Sequence, residues 1–254
     1  MTRDVNNKVQ RGSIMSKMYS EKETKNRLQS ELINIDSLYT AECVNNIGIT
    51  NDTRVLYTEI IAQELLKNLT VFNSIKSVKR TSSYYRPSHS KISINLLSSQ
   101  KENIFAKRIA YLEFKEMGKI LDYQIPLQDT NSDTGIGSID LISFHEERRI
   151  LFLIELKNQG NKEPLLRALL ESYTYYNIVD KDKLVKDFIM SNIMGEIESS
   201  KIKVIPAVLV TPSCKAYDEL KDMKVGNRPK LKALSLALGI SFFTLEFVNH
   251  EVLL

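Results

Sequence analysis

The sequence predicts an α/β protein: a mixed central sheet with helices on both faces, preceded by a mainly helical N-terminal region. Three observations carry this. From Gln100 onward, helical and strand patterns follow in the order α-β-β-β-α-β, and a further helix and strand close the chain. Two of those strands, around Ile139–Phe144 and Leu151–Leu156, are apolar on both faces, and a sheet buried on both sides needs helices on both sides. Between Ser20 and Leu69, by contrast, apolar residues recur three and four apart, the period of amphipathic helices.

A chain of 254 residues suits one large domain, or a domain with an extension, and can bury a sizeable core. Its composition, 43% hydrophobic and 26% charged, is that of an ordinary globular protein. Cys43 and Cys214 lie far apart and form no metal-ligand spacing, so they read as reduced, buried thiols of a cytoplasmic protein. No apolar run reaches the length of a membrane span, and no signal-peptide pattern opens the chain.

Residues 1–19 are polar and aperiodic, and disorder is expected there. Residues 20–99 form a helical, basic N-terminal region. Ser20 and Glu23 have the spacing of a capping box, and the helix after them should run to about Ile35 with Leu28, Leu32 and Ile35 on one stripe. Asn51-Asp52-Thr53 signals a second helix start, with apolar spacing from Val55 to Leu69. Glu59 and Glu64 on that helix are expected in solvent.

The charge is unevenly spread. Residues 1–100 hold 14 Lys and Arg against 9 Asp and Glu, and from Leu65 to Gln100 no acidic residue occurs. Such asymmetry suits an anionic partner. Candidate nucleic-acid contacts are Lys76, Lys79, Arg80, Tyr84, Tyr85, Arg86 and Lys91, where arginine beside tandem tyrosines mixes phosphate contacts with stacking. The alternative is a partly buried tyrosine pair beside a solvated arginine. Residues 74–80 and 91–97 alternate and suggest short strands, with a Ser- and Pro-rich loop at 82–89 between them.

From residue 100 the elements are regular. A helix with Glu102, Phe105, Ala106, Ile109 and Leu112 on one face ends near Gly118. A strand over 119–127, a polar loop over 129–135 and the hairpin follow. A turn at 158–161 leads to a helix from Glu163 to Val179. A strand over 203–210, a short helix near Tyr217, a helix over 229–238 ended by Gly239, and a strand over 240–248 complete the chain. His89, His145 and His250 are scattered and read as surface or turn residues. Phosphate-binding glycine loops, serine nucleophile elbows and Cys/His clusters are absent from the sequence.

The hairpin poses the chemical question. Glu155 and Lys157 are two apart and share a face of the sheet, while Leu156 points the other way. A turn centred between Glu147 and Arg148 sets Asp140 opposite Glu155 and Ser138 opposite Lys157. Directly opposed side chains have Cβ atoms about 5 Å apart. Two carboxylates at that distance repel unless a cation or a proton lies between them. An oxygen-donor Mg²⁺ site is one answer; an Asp–Lys or Glu–Lys ion pair at the sheet end is the other.

Asp140 on one strand and Glu155-Leu156-Lys157 on the next resemble the signature of the PD-(D/E)XK nuclease superfamily, with Ile139 in place of the proline. The order of elements over roughly residues 100–250 is similar to that family's core. The resemblance implies a restriction-endonuclease-like core within a domain over 100–254. It also implies Mg²⁺, with Mn²⁺ substituting, held by Asp140, Glu155 and the carbonyl of Leu156. Glu102 would stand where many members carry a further metal-binding glutamate, or else be a first-turn residue stabilised by the helix dipole.

Lys157 would be the family lysine that orients the attacking water. The Gln-x-x-x-Tyr of one branch of the family is Glu171 and Tyr175 here, an i, i+4 pair sharing a face, with Arg167 one turn earlier either pairing with Glu171 or touching a phosphate. The expectation is a Mg²⁺-dependent nuclease cutting DNA endonucleolytically, with RNA as the other substrate and a homodimer as one assembly. The competing expectation is a non-catalytic nucleic-acid- or protein-binding module of the same fold.

Overall fold

A computed structural model describes residues 18–95, 100–128, 137–248 and 251–253. The expected loop at 129–135, His250 and residues 1–17 lie outside these. Tyr19, expected in a disordered tail, is buried: its N–H donates to the Tyr57 hydroxyl at 2.8 Å and its own hydroxyl donates to Glu42 at 3.0 Å.

The N-terminal region holds α1 (Glu21–Glu31), α2 (Glu42–Asn45) and α3 (Tyr57–Lys67). The capping box at Ser20 and Glu23 forms as the spacing predicts. The α-helix then ends at Glu31 and continues as a 3-10 helix to Thr40 with a break at Asn34, so Leu28 and Ile35 are still buried. Asp52 does not start α3. Its carboxylate accepts the Glu21 N–H at 3.0 Å and so caps α1 from a distance. Glu59 is not in solvent either: buried on α3, it accepts the N–H groups of Lys230 and Leu231, both at 2.9 Å. Residues 74–80 and 91–95 form no strand; 3-10 turns at Leu69–Ser74 and Pro87–Ser90 and extended chain lie there instead.

The remaining elements are α4 (Lys101–Ile109), β1 (Glu113–Phe114), β2 (Gly118–Pro126), β3 (Ser138–His145), β4 (Ile150–Lys157), α5 (Leu165–Ile178) and α6 (Lys181–Met190). Then come β5 (Lys203–Val210), α7 (Lys215–Lys224), α8 (Pro229–Ala237), β6 (Ser241–Thr244), β7 (Glu246–Val248) and β8 (Glu251–Leu253). The main sheet has the order β1-β2-β3-β4-β5-β6, antiparallel up to β4 and parallel from β4 to β6, so it is mixed.

Several local expectations shift. α4 ends at Ile109, and the left-handed Tyr111 (φ 65) turns the chain, leaving Leu112 exposed. Gly118 opens β2 rather than capping α4. It has φ 75, and a Cβ there would lie 2.1 Å from the Phe144 carbonyl oxygen, so only glycine fits. The strand expected over 240–248 is broken into β6 and β7. β1 and α6 are not among the expected elements, although Asp180 caps α6 and Leu184, Val185 and Phe188 recur three and four apart along it.

Helices cover both faces of the sheet. On one face α4 packs on Ile120, Leu141, Phe152, Ile154 and Leu156. On the other, α5 to α8 and the N-terminal helices share one continuous apolar cluster with Ile142, Phe144, Leu151 and Leu153. The N-terminal region is therefore built into the core. Buried Arg228 adds a polar tie, donating to Thr58 on α3 at 2.7 Å and pairing with Glu219 at 3.4 Å. Cys43 and Cys214 are buried and unpaired. Among the described residues no helix is long and apolar enough to cross a membrane.

Candidate active site

The hairpin forms in the expected register, pairing Leu141 with Ile154 through His145 with Ile150. The ladder stops there, one pair short of Asp140 and Glu155. The reason is local: the Asp140 carboxylate itself accepts the Leu156 N–H, at 2.9 Å from Oδ2. Its Oδ1 accepts from Gln124 Nε2 at 2.6 Å. Gln124 sits between the β2 residues that pair with Leu141 and Ile139, in the left-handed region at φ 48. Ser138 steadies it by donating to its Oε1 at 3.2 Å. Leu156 lies in the core cluster opposite its neighbours' face, as alternation requires.

Glu155 and Lys157 share the α5 side. Both are buried in a central strand, flanked by β3 and β5. Lys157 Nζ lies 2.7 Å from Glu155 Oε1, 2.7 Å from Glu163 Oε2 and 3.3 Å from Glu171 Oε2. The Tyr175 hydroxyl donates to Glu171 Oε1 at 3.1 Å and lies 3.4 Å from the Tyr39 hydroxyl, so the expected Glu171–Tyr175 pair does face this cluster. Arg167 is turned to carboxylates: its Nε is 3.0 Å from Glu163 Oε1 and 3.9 Å from Glu171 Oε2, and its Nη1 donates to Asn45 at 3.0 Å.

Asp140 also borders a cavity of about 410 Å³ between the first turn of α4, Gln124 and the loop over 158–161. Glu102 lines the same cavity and accepts from Asn161 Nδ2 at 2.9 Å.

The electrostatics are those of excess buried negative charge. Burial raises the Asp140 carboxyl to about 7, outweighing the Leu156 N–H and Lys157 that pull it down. Glu155 is raised well above the carboxylate range by burial and by Asp140 beside it. Burial raises Glu102 as well. Burial alone would lower Lys157, but Glu155, Glu171 and Glu163 outweigh it and hold the ammonium well above its ordinary range. Five carboxylates (Glu102, Asp140, Glu155, Glu163, Glu171) face two cations, Lys157 and Arg167, which leaves three negative charges when all are ionised.

A divalent cation fits this set in kind. The donors brought together are carboxylate oxygens, the ligands of a hard ion, and among the described residues no imidazole or thiolate lines the cavity or contacts Lys157. They do not yet converge: among the described residues no three acidic, histidine or cysteine groups are grouped to hold a metal. Glu155 is turned toward Lys157 instead.

The basic segment divides in two. Lys76, Lys79 and Lys91 are exposed, and Tyr85 and Arg86 are half-buried. Arg80 and Tyr84 are buried and hold the loop down. Arg80 donates to the Pro126 carbonyl and, at 3.0 Å, to the Ser83 carbonyl, with its guanidinium 4.6 Å from the Tyr84 ring centre. The Tyr84 N–H donates to Asp187, and its hydroxyl accepts the Asp180 N–H. A fully enclosed ring offers no face to a base, so these two leave the set of surface contacts. His89 is not a free surface residue: its Nδ1 lies 2.7 Å from buried Asp122, and its ring stacks on Tyr123.

Glu163, Asn161 and Gln124 were not foreseen. Gln124 could have been found, as a polar residue in a strand laid beside Asp140. Glu163 and Asn161 lie in a turn where no periodicity marks a contact.

Comparison with protein-family models, with curated proteins and with solved structures returns no match. The fold and site define an α/β protein with a carboxylate–lysine cluster at the end of a buried hairpin.

Proposed function

We propose that this chain is a metal-dependent nuclease of the PD-(D/E)XK kind, with a restriction-endonuclease-like core, cutting DNA endonucleolytically. The observation that carries the reading is the placement of Asp140, Glu155 and Lys157 at one end of the hairpin, among more carboxyl groups than cations, with Asp140 and Glu102 lining an open cavity. Asp140, Glu155, Glu102 and the Leu156 carbonyl would hold Mg²⁺, or Mn²⁺ in its place. When bound, the ion lowers the pKa of its water and polarises the phosphoryl oxygen. Lys157 supplies positive charge that orients water and offsets charge developing on the phosphoryl group. Exposed Lys76, Lys79 and Lys91, with Arg86, supply sequence-independent contacts to the phosphate backbone.

The test is cleavage of plasmid, linear and single-stranded DNA, and of RNA, with Mg²⁺, Mn²⁺ or chelator. Wild type should cut only with metal, and Asp140→Ala and Lys157→Ala should abolish cutting. Absence of cleavage by wild type, with both variants indistinguishable from it, overturns the reading.

A second reading is favoured by the ring of carboxylates that already engages Lys157: a nucleic-acid-binding module without catalysis. In that case charge reversal at Lys79 and Arg86 removes binding and Asp140→Ala changes nothing.

A further inference from the structure

Lys157 has three N–H donors, and three carboxylates surround it at 2.7, 2.7 and 3.3 Å. These three are not equivalent. Glu155 lies next to Asp140, with which it repels, and belongs to the metal-ligand set of the proposed nuclease. Glu171 is the most distant and shares its other oxygen with Tyr175. Glu163 is held on several sides. Its Oε1 pairs with Arg167 at 3.0 Å, and its backbone N–H donates to Asn161 Oδ1 at 2.8 Å. Asn161 in turn reaches Glu102 across the cavity. Despite burial, which works the other way, Lys157 and Arg167 hold the Glu163 carboxyl below its ordinary range, so it stays ionised.

Resting on the reading of the site as a metal-dependent nuclease, we infer that Glu163 is a positioning residue. It anchors the Lys157 ammonium at the end of β4 when Glu155 turns from Lys157 toward a cation. Glu155 cannot give its Oε1 to a metal without leaving one N–H of Lys157 vacant, and that N–H is then the one available to water or phosphate. With Glu163 in place the ammonium keeps its location through this exchange. Without it, Lys157 has only Glu171 to hold it and follows Glu155. Glu163 thus links the lysine to the loop carrying Asn161, and through Asn161 to Glu102 on α4.

The experiment uses the full chain, with Glu163→Ala and Glu163→Gln. The ¹H–¹⁵N signal of the Lys157 ammonium, identified by its loss in Lys157→Arg, is followed with and without Mg²⁺. In wild type the signal should shift on adding Mg²⁺ and stay protected from exchange. In Glu163→Ala it should be present without metal and lost with it. Turnover should fall about 10- to 100-fold, the range for groups that orient metal-site residues, with KM within about 3-fold of wild type, as expected when orientation rather than substrate binding is lost.

Glu163→Gln keeps the shape and one hydrogen-bonding oxygen, and should restore part of both readouts. It also serves if Glu163→Ala fails to fold. A Mg²⁺-loaded Lys157 signal that neither variant alters overturns the inference. If the signals behave as expected while wild type cuts no substrate, the anchor stands and the nuclease reading falls.

Discussion

Replacing Asp140 by asparagine should make the metal-free protein more stable at high pH while removing the proposed nuclease activity. The unfolded carboxyl ionises near 3.8, whereas in the fold burial holds it protonated up to about 7. A raised carboxyl favours the folded state fully below pH 3.8, and that contribution is lost as pH rises to 7. A rise from 3.8 to about 7 corresponds to ~4 kcal/mol above pH 7. Asparagine removes this cost, still accepts the Leu156 N–H, and must adjust its bond to Gln124, which takes back ~1 kcal/mol or more. The net expectation is a gain of roughly 1–3 kcal/mol at pH 8. The gain should shrink to near zero at pH 4. Urea unfolding in chelator at pH 4, 6 and 8, followed by circular dichroism, measures it. A variant no more stable than wild type at pH 8, or a gain independent of pH, refutes the argument that Asp140 is a desolvated charge.

Three further outcomes test the surroundings of the site. Glu59→Ala should cost about 1–3 kcal/mol in urea unfolding, because the first N–H groups of α8 lose a buried acceptor; an unchanged midpoint would mean that the N-terminal region is not built into the core. On the proposed nuclease reading, charge reversal at Lys76, Lys79 and Lys91 should weaken binding to DNA and reduce its salt dependence by about one unit of slope per lost phosphate contact. Tyr84→Ala should instead cost about 3–5 kcal/mol of stability, the cost of emptying an aromatic core site. Unchanged stability for Tyr84→Ala, or binding unaffected by the three reversals, would reverse these assignments.

Much of the site was legible because a strand hairpin is a short-range object. Alternation set Glu155 and Lys157 on one face and Leu156 on the other, and the polar turn between the strands fixed the register found from Leu141 to His145. Apolar spacing likewise marked α3, a capping box the start of α1, and Pro229 and Gly239 the limits of α8. The failures share one cause. Glu59 looks like an ordinary exposed acid and Asp52 like a cap for α3, yet each caps a helix far away in sequence. Arg80 and Tyr84 have the composition of a nucleic-acid loop, but the ends of β2 and α6 supply their partners.

What the sequence by itself determined is the α/β class, the hairpin register and which three residues stand at its end, because these follow from periods of two and 3.6 residues. What only the tertiary structure decided is the company they keep. Glu163 and Glu171 reach Lys157, with Arg167 behind them, because α5 crosses the end of β4, and Glu102 joins Asp140 across a cavity that α4 and the 158–161 loop line. The sign and size of the charge imbalance depend on those distances and on burial, and neither is encoded in spacing along the chain.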